Sequence, residues 1–296
     1  MRRGQSKGLA ATPRDFGILG SLGLVGCLTS KSIRKWWFTR DKTGEATRRR
    51  MKLFADHGLT QRIAISVSRQ QRPGRMPLVH RLTPMGADFV EDETGQRPPR
   101  VARSDPPKPH TLLHRAGMGE CILRFNAACR NQGFSEPEWV LEYDAVPGTP
   151  PSAPLSQRFF LRWDVPLKDG QTAACWPDAL CKFTLPKNDR LWKMVIAWEY
   201  DRSTDKHSQL AGKMPGYDGW LKHRLDRQLF PDADAARIFF VVPSKDRRNN
   251  TIATLKDGPA ASHVRLTTLD EFQPESLLTE PIWWTPSGEC RSIITR

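Results

Sequence analysis

Hydrophobic residues recur at two different periods along this chain. The stretch "LTSKSIRKWWF" places Ile33, Trp36 and Trp37 on one side of a helix that Thr29 or Ser30 can cap. In "TGEATRRRMKLFADHGL", Thr47, Met51 and Phe54 form a helical stripe and Gly58 supplies the stop. The period then drops to two at Ile63, Ile65 and Val67 of "RIAISVS", "RQQRPGR" turns the chain, and "PLVHRLT" returns it. With the apolar segment 16–28 in front, the pattern predicts three helices and a β-hairpin over residues 1–92, the order of a winged helix-turn-helix.

Apolar periodicity then stops. The run "EDETGQRPPRVARSDPPKP" holds five prolines and predicts an extended linker, placed at residues 93–109. Beyond it, residues 110–296 read as a helix over "LLHRAGMGECILRFNAACRNQG", strands at "EWVLEYD", "RFFLRWDV", "WPDALCKFTL" and "LWKMVIAWEYD", a polar-apolar segment, a strand "RIFFVVP", a short helix and a strand "HVRLTTL". That string predicts a mixed sheet covered on both faces, and an α/β fold class with α+β character for the whole chain.

Charge sharpens this division. The net charge is +14, and residues 1–104 alone carry 21 Lys and Arg against 8 Asp and Glu. Such an excess implies a polyanionic partner, with double-stranded DNA first and an anionic membrane second. Helical spacing puts Glu45, Arg48, Arg49 and Lys52 opposite Met51 and Phe54, where a recognition helix faces the major groove. Arginine suits the O6 and N7 acceptors of guanine and lysine suits phosphate. Arg69, Arg72 and Arg75 fall on the tip of the wing. An ordinary solvated helix face, or a protein-binding winged helix, is the competing reading.

The six cysteines show no CxxC spacing and no zinc pattern, which predicts free thiols and a cytoplasmic protein. "MRRGQSKG" followed by "FGILGSLGLVGC" has the outline of a leader peptide. Its apolar run is short, holds four glycines and follows Asp15, so a helix is expected there. No segment approaches the ~18 apolar residues of a membrane span.

Candidate chemistry sits at strand ends. Asp178 opens "PDAL", and Glu199 and Asp201 close "KMVIAWEYD". Strand alternation sends Glu199 and Asp201 to one face and Trp198 and Tyr200 to the other, and pairing of neighbouring strands would bring Asp178 beside Glu199. Clustered carboxylates suit Mg²⁺ or Mn²⁺, with Asp178 and Glu199 as ligands. A plain charge network at the strand ends is the alternative.

The order "PDA", apolar strand, "WEYDRST" resembles the PD-(D/E)xK nuclease superfamily. More narrowly, "LTSKSIRKWW", "TRRRMKLFADHGL", "HRLTPMGADFV", "PDALCKF", "EYDRST" and "KMPGY" resemble the replication-relaxation family of bacterial and plasmid proteins. The resemblance spans most of residues 15–245. It implies a winged helix joined to a nuclease-like domain, with Asp178 and Glu199 as the motif acids. Asp201 stands where the nuclease lysine belongs, and an aspartate cannot replace a positive charge. Lys193 is ~20 Å back along its strand and Lys182 ~13 Å from Asp178. Lys213, which starts "KMPGY" one helical turn before Tyr217, is the better candidate for the missing charge. Two functions follow as expectations: a metal-dependent endonuclease or nickase of plasmid or mobile-element replication, or a non-catalytic regulator whose nuclease-like fold serves DNA binding or formation of a homodimer.

Overall fold

The computed structural model describes residues 9–65, 77–103, 105–167, 170–187, 190–202 and 207–294. The chain divides into two compact units, Met1–Leu123 and Arg124–Arg296, and its class is α/β with α+β character.

In the first unit the elements follow the order α1 (Pro13–Val25), β1 (Leu28–Thr29), α2 (Ser30–Trp37), α3 (Glu45–Asp56), β2 (Thr60–Ala64), β3 (Leu78–Leu82), α4 (Pro84–Thr94) and the first part of α5 (Pro109–Asn131). The strands form an antiparallel sheet in the order β1-β3-β2. Thr29 caps α2 by accepting from the Ser32 N–H at 3.0 Å, and Thr83 caps α4 by accepting from Gly86 at 3.0 Å. Asp41 fixes the start of α3, taking both the backbone N–H and the hydroxyl of Thr47 at 2.8 and 2.7 Å. Ile18, Leu19, Leu22, Ile33, Met51, Phe54, Val79 and Leu82 are buried in this unit. Trp36 and Trp37, expected to point inward, are half-buried, and Phe38 is buried instead.

The proline-rich stretch is held along part of its length by the first unit. Arg100 N–H donates to the Gly23 carbonyl at 2.9 Å and Ala102 N–H to Leu82 at 2.8 Å. Pro98 packs on the bare Cα of Gly23, where a methyl group would collide with its ring. Composition marks this stretch as extended, and the backbone ladder shows what the extension rests on.

His80 lies in β3, fully buried, with Nε2 2.8 Å from the Ser30 hydroxyl. Burial, and then the charge of Arg62 on the paired strand, push its pKa down to about 4. The folded chain therefore holds His80 neutral at pH values where an unfolded chain, with a pKa of about 6.5, has protonated it. The resulting stability is complete above the unfolded pKa and is lost as pH falls toward the folded one, by up to about 3 kcal/mol at 1.36 kcal/mol per pKa unit. Urea denaturation at about pH 7 and about pH 4.5 checks this: His80→Gln is expected to flatten the loss seen in the wild type.

In the second unit, after the rest of α5, come β4 (Glu138–Leu141), α6 (Leu155–Arg158), β5 (Trp163–Pro166), β6 (Thr172–Cys175), β7 (Ala179–Lys187), β8 (Arg190–Tyr200), α7 (His207–Lys222), β9 (Ala235–Val242), α8 (Lys245–Leu255), β10 (Val264–Thr268), β11 (Trp283–Trp284) and β12 (Cys290–Arg291). Seven strands make one mixed sheet, β12-β11-β10-β9-β8-β7-β4, and β5 and β6 pair separately. β8, β9 and β10 run parallel, whereas β7 is antiparallel to β8.

Alternation along β8 splits its side chains between two cores. Trp198 enters an aromatic cluster, with Phe125 of α5 at 5.1 Å, Phe239 at 5.3 Å and Trp283 at 6.1 Å between ring centroids. Val195 and Ala197 join the other core with Met214, Tyr217 and Trp220 of α7. Leu210, Met214 and Tyr217 recur at helical spacing on the buried side of α7. That burial offsets the ~3 kcal/mol cost of Pro215 inside the helix. Among the described residues no helix is long and apolar enough to cross a membrane.

Candidate functional site

Asp178 immediately precedes β7, and its backbone is held on both sides: its N–H donates to the Trp198 carbonyl and its carbonyl accepts from Glu142, each at 3.0 Å. Because Ala179 pairs with Trp198 in the β7–β8 register, Asp178 falls next to Glu199. Its carboxylate Oδ2 accepts the Tyr200 N–H at 2.7 Å. The two acids are thus brought together by strand register alone.

Glu199 points to the α7 face and is 4 % exposed. Both of its oxygens are engaged. Lys213 Nζ donates to Oε2 at 2.7 Å, and the Tyr217 hydroxyl donates to Oε1. Lys213 and Tyr217 are four residues apart on α7, so one helical turn presents an ammonium and a phenol to one carboxylate. Burial raises the Glu199 pKa above the ordinary carboxylate value, Lys213 pulls it down, and the charge of Asp178 pushes it up again. Burial, and then Glu199, hold the Tyr217 hydroxyl and the Cys175 thiol far above their usual values. Cys175 is therefore no nucleophile.

Asp201 belongs to a different arrangement. Its N–H donates to the Val241 carbonyl, and its Oδ2 accepts from Arg247 Nε at 2.5 Å, both groups being largely buried. Arg247 lies in the first turn of α8, where Ser244 caps the helix. The charge at Asp201 is thus compensated by an arginine that the run "SKDRRNN" does not distinguish from its neighbour Arg248. Lys182 is engaged by Glu138 at 2.8 Å and Asp232 at 3.5 Å, and Lys193 by Asp232 at 2.7 Å.

Could the pair hold a metal? Among the described residues no group of three or more His, Cys, Asp or Glu is placed to do so. Asp178 and Glu199 remain as two hard oxygen donors. Mg²⁺ commonly takes one or two carboxylates and keeps several waters, so the donor chemistry of this pair fits it.

On α3, Glu45, Arg48, Arg49 and Lys52 are exposed, and Thr47, Met51 and Phe54 are buried. Arg49 pairs with Glu45 at 3.1 Å and Lys52 with Asp56 at 2.6 Å, both at the surface. Arg48 donates to the Thr43 carbonyl at 3.0 Å. Arg69, Arg72 and Arg75 lie outside the described residues.

The third arginine of "RRR" does something else. Arg50 forms a two-pronged pair with the fully buried Asp15 of α1, Nε to Oδ1 at 2.9 Å and Nη2 to Oδ2 at 2.5 Å. Burial pushes the Asp15 pKa up, and the hydrogen bonds from Arg50 and Thr12 outweigh it and leave the carboxyl below its ordinary value. Sequence offered one signal for this pair: Asp15 is the first acid in the chain, and the next is Asp41.

No curated protein and no solved structure matches the chain. The model of the replication-relaxation family matches residues 19–232, a span running from α1 of the basic unit past Asp178, Glu199 and Lys213. With that match covering well over half of its length, the chain belongs to the replication-relaxation family.

Proposed function

We propose that this protein binds double-stranded DNA in plasmid or mobile-element replication or maintenance, and that its second unit is a nuclease-like fold that cuts or nicks a strand. The reading of the first unit as a winged helix rests on its order of helices and hairpin, with α3 as the recognition helix. The observation that carries DNA binding is the solvent face of α3, where Arg48, Arg49 and Lys52 stand clear of the core. The carboxylate partners of Arg49 and Lys52, Glu45 and Asp56, are exposed, and such pairs are worth only about 0–1 kcal/mol. A phosphate or guanine edge can displace them.

Fluorescence anisotropy of the full chain on duplex DNA tests this. Arg48→Ala and Arg49→Ala are each expected to weaken binding by about 1–3 kcal/mol where the arginine reads a base edge. Wild-type binding should fall steeply between about 50 and 200 mM salt. Unchanged affinity in both variants would remove α3 as the DNA-binding face.

For the second unit, support comes from Asp178 just before β7, Glu199 on the paired strand β8, and Lys213 at Glu199 from the following helix. A bound Mg²⁺ or Mn²⁺ would supply a water of lowered pKa and stabilise charge on the phosphodiester. Lys213 opposes the rise that burial imposes on the Glu199 pKa and offsets the developing negative charge, in place of a lysine at position 201. A non-catalytic regulator is the second reading, favoured by the engagement of both Glu199 oxygens by Lys213 and Tyr217. In that case the fold serves DNA contact or dimerisation.

A further inference from the structure

Two half-buried arginines of the second unit form no ion pair among the described residues. Arg237 in β9 donates to the Ala236 carbonyl at 2.8 Å and stands 3.1 Å from His263 Nδ1. Arg265 in β10 donates to the carbonyls of Ser262 and Val264 at 3.1 and 2.7 Å. Among the described residues neither is in an ion pair, whereas the charged groups around them are compensated. Lys222 pairs with Asp218 at 2.5 Å and Arg224 with Asp226 at 2.9 Å. Asp234 accepts the Lys193 N–H at 2.8 Å, with Arg190 at 4.0 Å.

Two like charges withdrawn from water without a counter-ion are costly, and buried charges are as a rule paired. Burial lowers the pKa of both guanidiniums, and Arg237 and Arg291 lower that of Arg265 further, with Glu289 opposing, to about 10. The His263 pKa is lowered in turn, by burial first and then by Arg237 and Arg265, with Asp218 opposing. The carboxylates nearby, Asp218, Asp234 and Glu289, are each engaged by another cation or backbone group, and Glu289 only partly opposes the lowering at Arg265.

Space for an anion is present. Arg237, Ser262 and His263 line a cavity of about 450 Å³ together with Lys222, Arg224 and two carboxylates, Asp218 and Asp234. We propose that this cavity binds a phosphate group, gripped by the Arg237 guanidinium, the Ser262 hydroxyl and the His263 ring, with Arg265 contributing field from the next strand. The volume lies within the ~300–1,000 Å³ of small-molecule sites, so the phosphate is one carried by a nucleotide-sized molecule or by a DNA strand. The site is separate from the acid pair. Arg237 pairs with Ile196, three residues before Glu199, so the cavity lies about 10 Å back along the sheet from the acid pair, at the start of β9. It stands or falls independently of nuclease activity.

The test is thermal melting of the full chain in inorganic phosphate, in a 5′-mononucleotide and in chloride at matched ionic strength. Wild type should show a saturable rise in Tm with phosphate and a larger one with the mononucleotide. Arg237→Gln should lose the rise, with an apparent Kd at least about tenfold weaker, as expected when one partner of a charge-assisted contact is removed. In chloride it should melt no lower than wild type, because an uncompensated charge has gone. Arg237→Lys should respond weakly. A wild type indifferent to both phosphate probes, or an Arg237→Gln chain that responds like wild type, overturns the proposal. An Arg237→Gln chain that melts well below wild type in chloride makes the arginine structural and overturns it too. Short duplex DNA that displaces the mononucleotide makes the strand the carrier, and simultaneous binding of both makes it the small molecule.

Discussion

Alanine in place of Asp178 or Glu199 is expected to abolish Mg²⁺- or Mn²⁺-dependent nicking of supercoiled plasmid while leaving DNA affinity and folding intact. Lys213→Ala should reduce cleavage by roughly 10²–10³-fold, the cost of removing one group that stabilises developing charge. The pH profile separates this role from a structural one. Burial already raises the Glu199 pKa and Lys213 opposes the rise. Losing Lys213 lets that pKa climb further, so the acid limb of the cleavage profile should move to higher pH, and raising the pH should recover part of the activity. Tyr217→Phe removes a weaker hydrogen bond and should move the limb the same way by less. A wild type that leaves plasmid intact with either metal while still binding duplex would make the acid pair structural and the regulator reading correct.

The second large effect lies in the first unit. Arg50→Ala is expected to destabilise it by about 3–5 kcal/mol, because Asp15 would remain as a buried charge without its guanidinium. Arg49→Ala, one residue away, should change stability by less than about 0.5 kcal/mol, since its pair with Glu45 is exposed. Chemical denaturation of the two variants side by side measures the contrast. Equal midpoints would show that the Asp15 pair carries no net stability. A double variant, Asp15→Asn with Arg50→Met, should recover much of the loss, because neither partner is then left charged and buried.

The run of three arginines shows where sequence reading succeeds and where it stops. Helical spacing separates Arg48 and Arg49 from the Met51 and Phe54 stripe, and the burial of α3 follows that spacing. The same spacing is silent about Arg50, whose partner lies 35 residues away. In the second unit, long strands with strong alternation were readable: the pairing of β7 with β8 puts Asp178, just before β7, beside Glu199. β6, with the sequence TAAC, and the two-residue strands β11 and β12 were not readable, because they are too short to show a period. Lys213 was legible through its spacing to Tyr217. Arg247 was not, because its approach to Asp201 depends on how α8 follows β9, and no local pattern records that.

Gly216 and Gly219 on α7 have a mechanical consequence. A methyl group at Gly216 would press into the Ala174 carbonyl of β6, and one at Gly219 into the Val165 side chain of β5. The helix is seated on that small hairpin, on bare backbone at Gly216 and on the Val165 side chain at Gly219. Rolling α7 by one position would drive Pro215 or Tyr217 into the place reserved for a bare Cα. Sliding it by one turn, about 5.4 Å, would carry Lys213 out of reach of Glu199. The β5–β6 hairpin therefore acts as a jig that sets where the ammonium stands. A lysine borne on a strand is aimed by the pleat; one borne on a helix has no such guide, and here two missing side chains provide it.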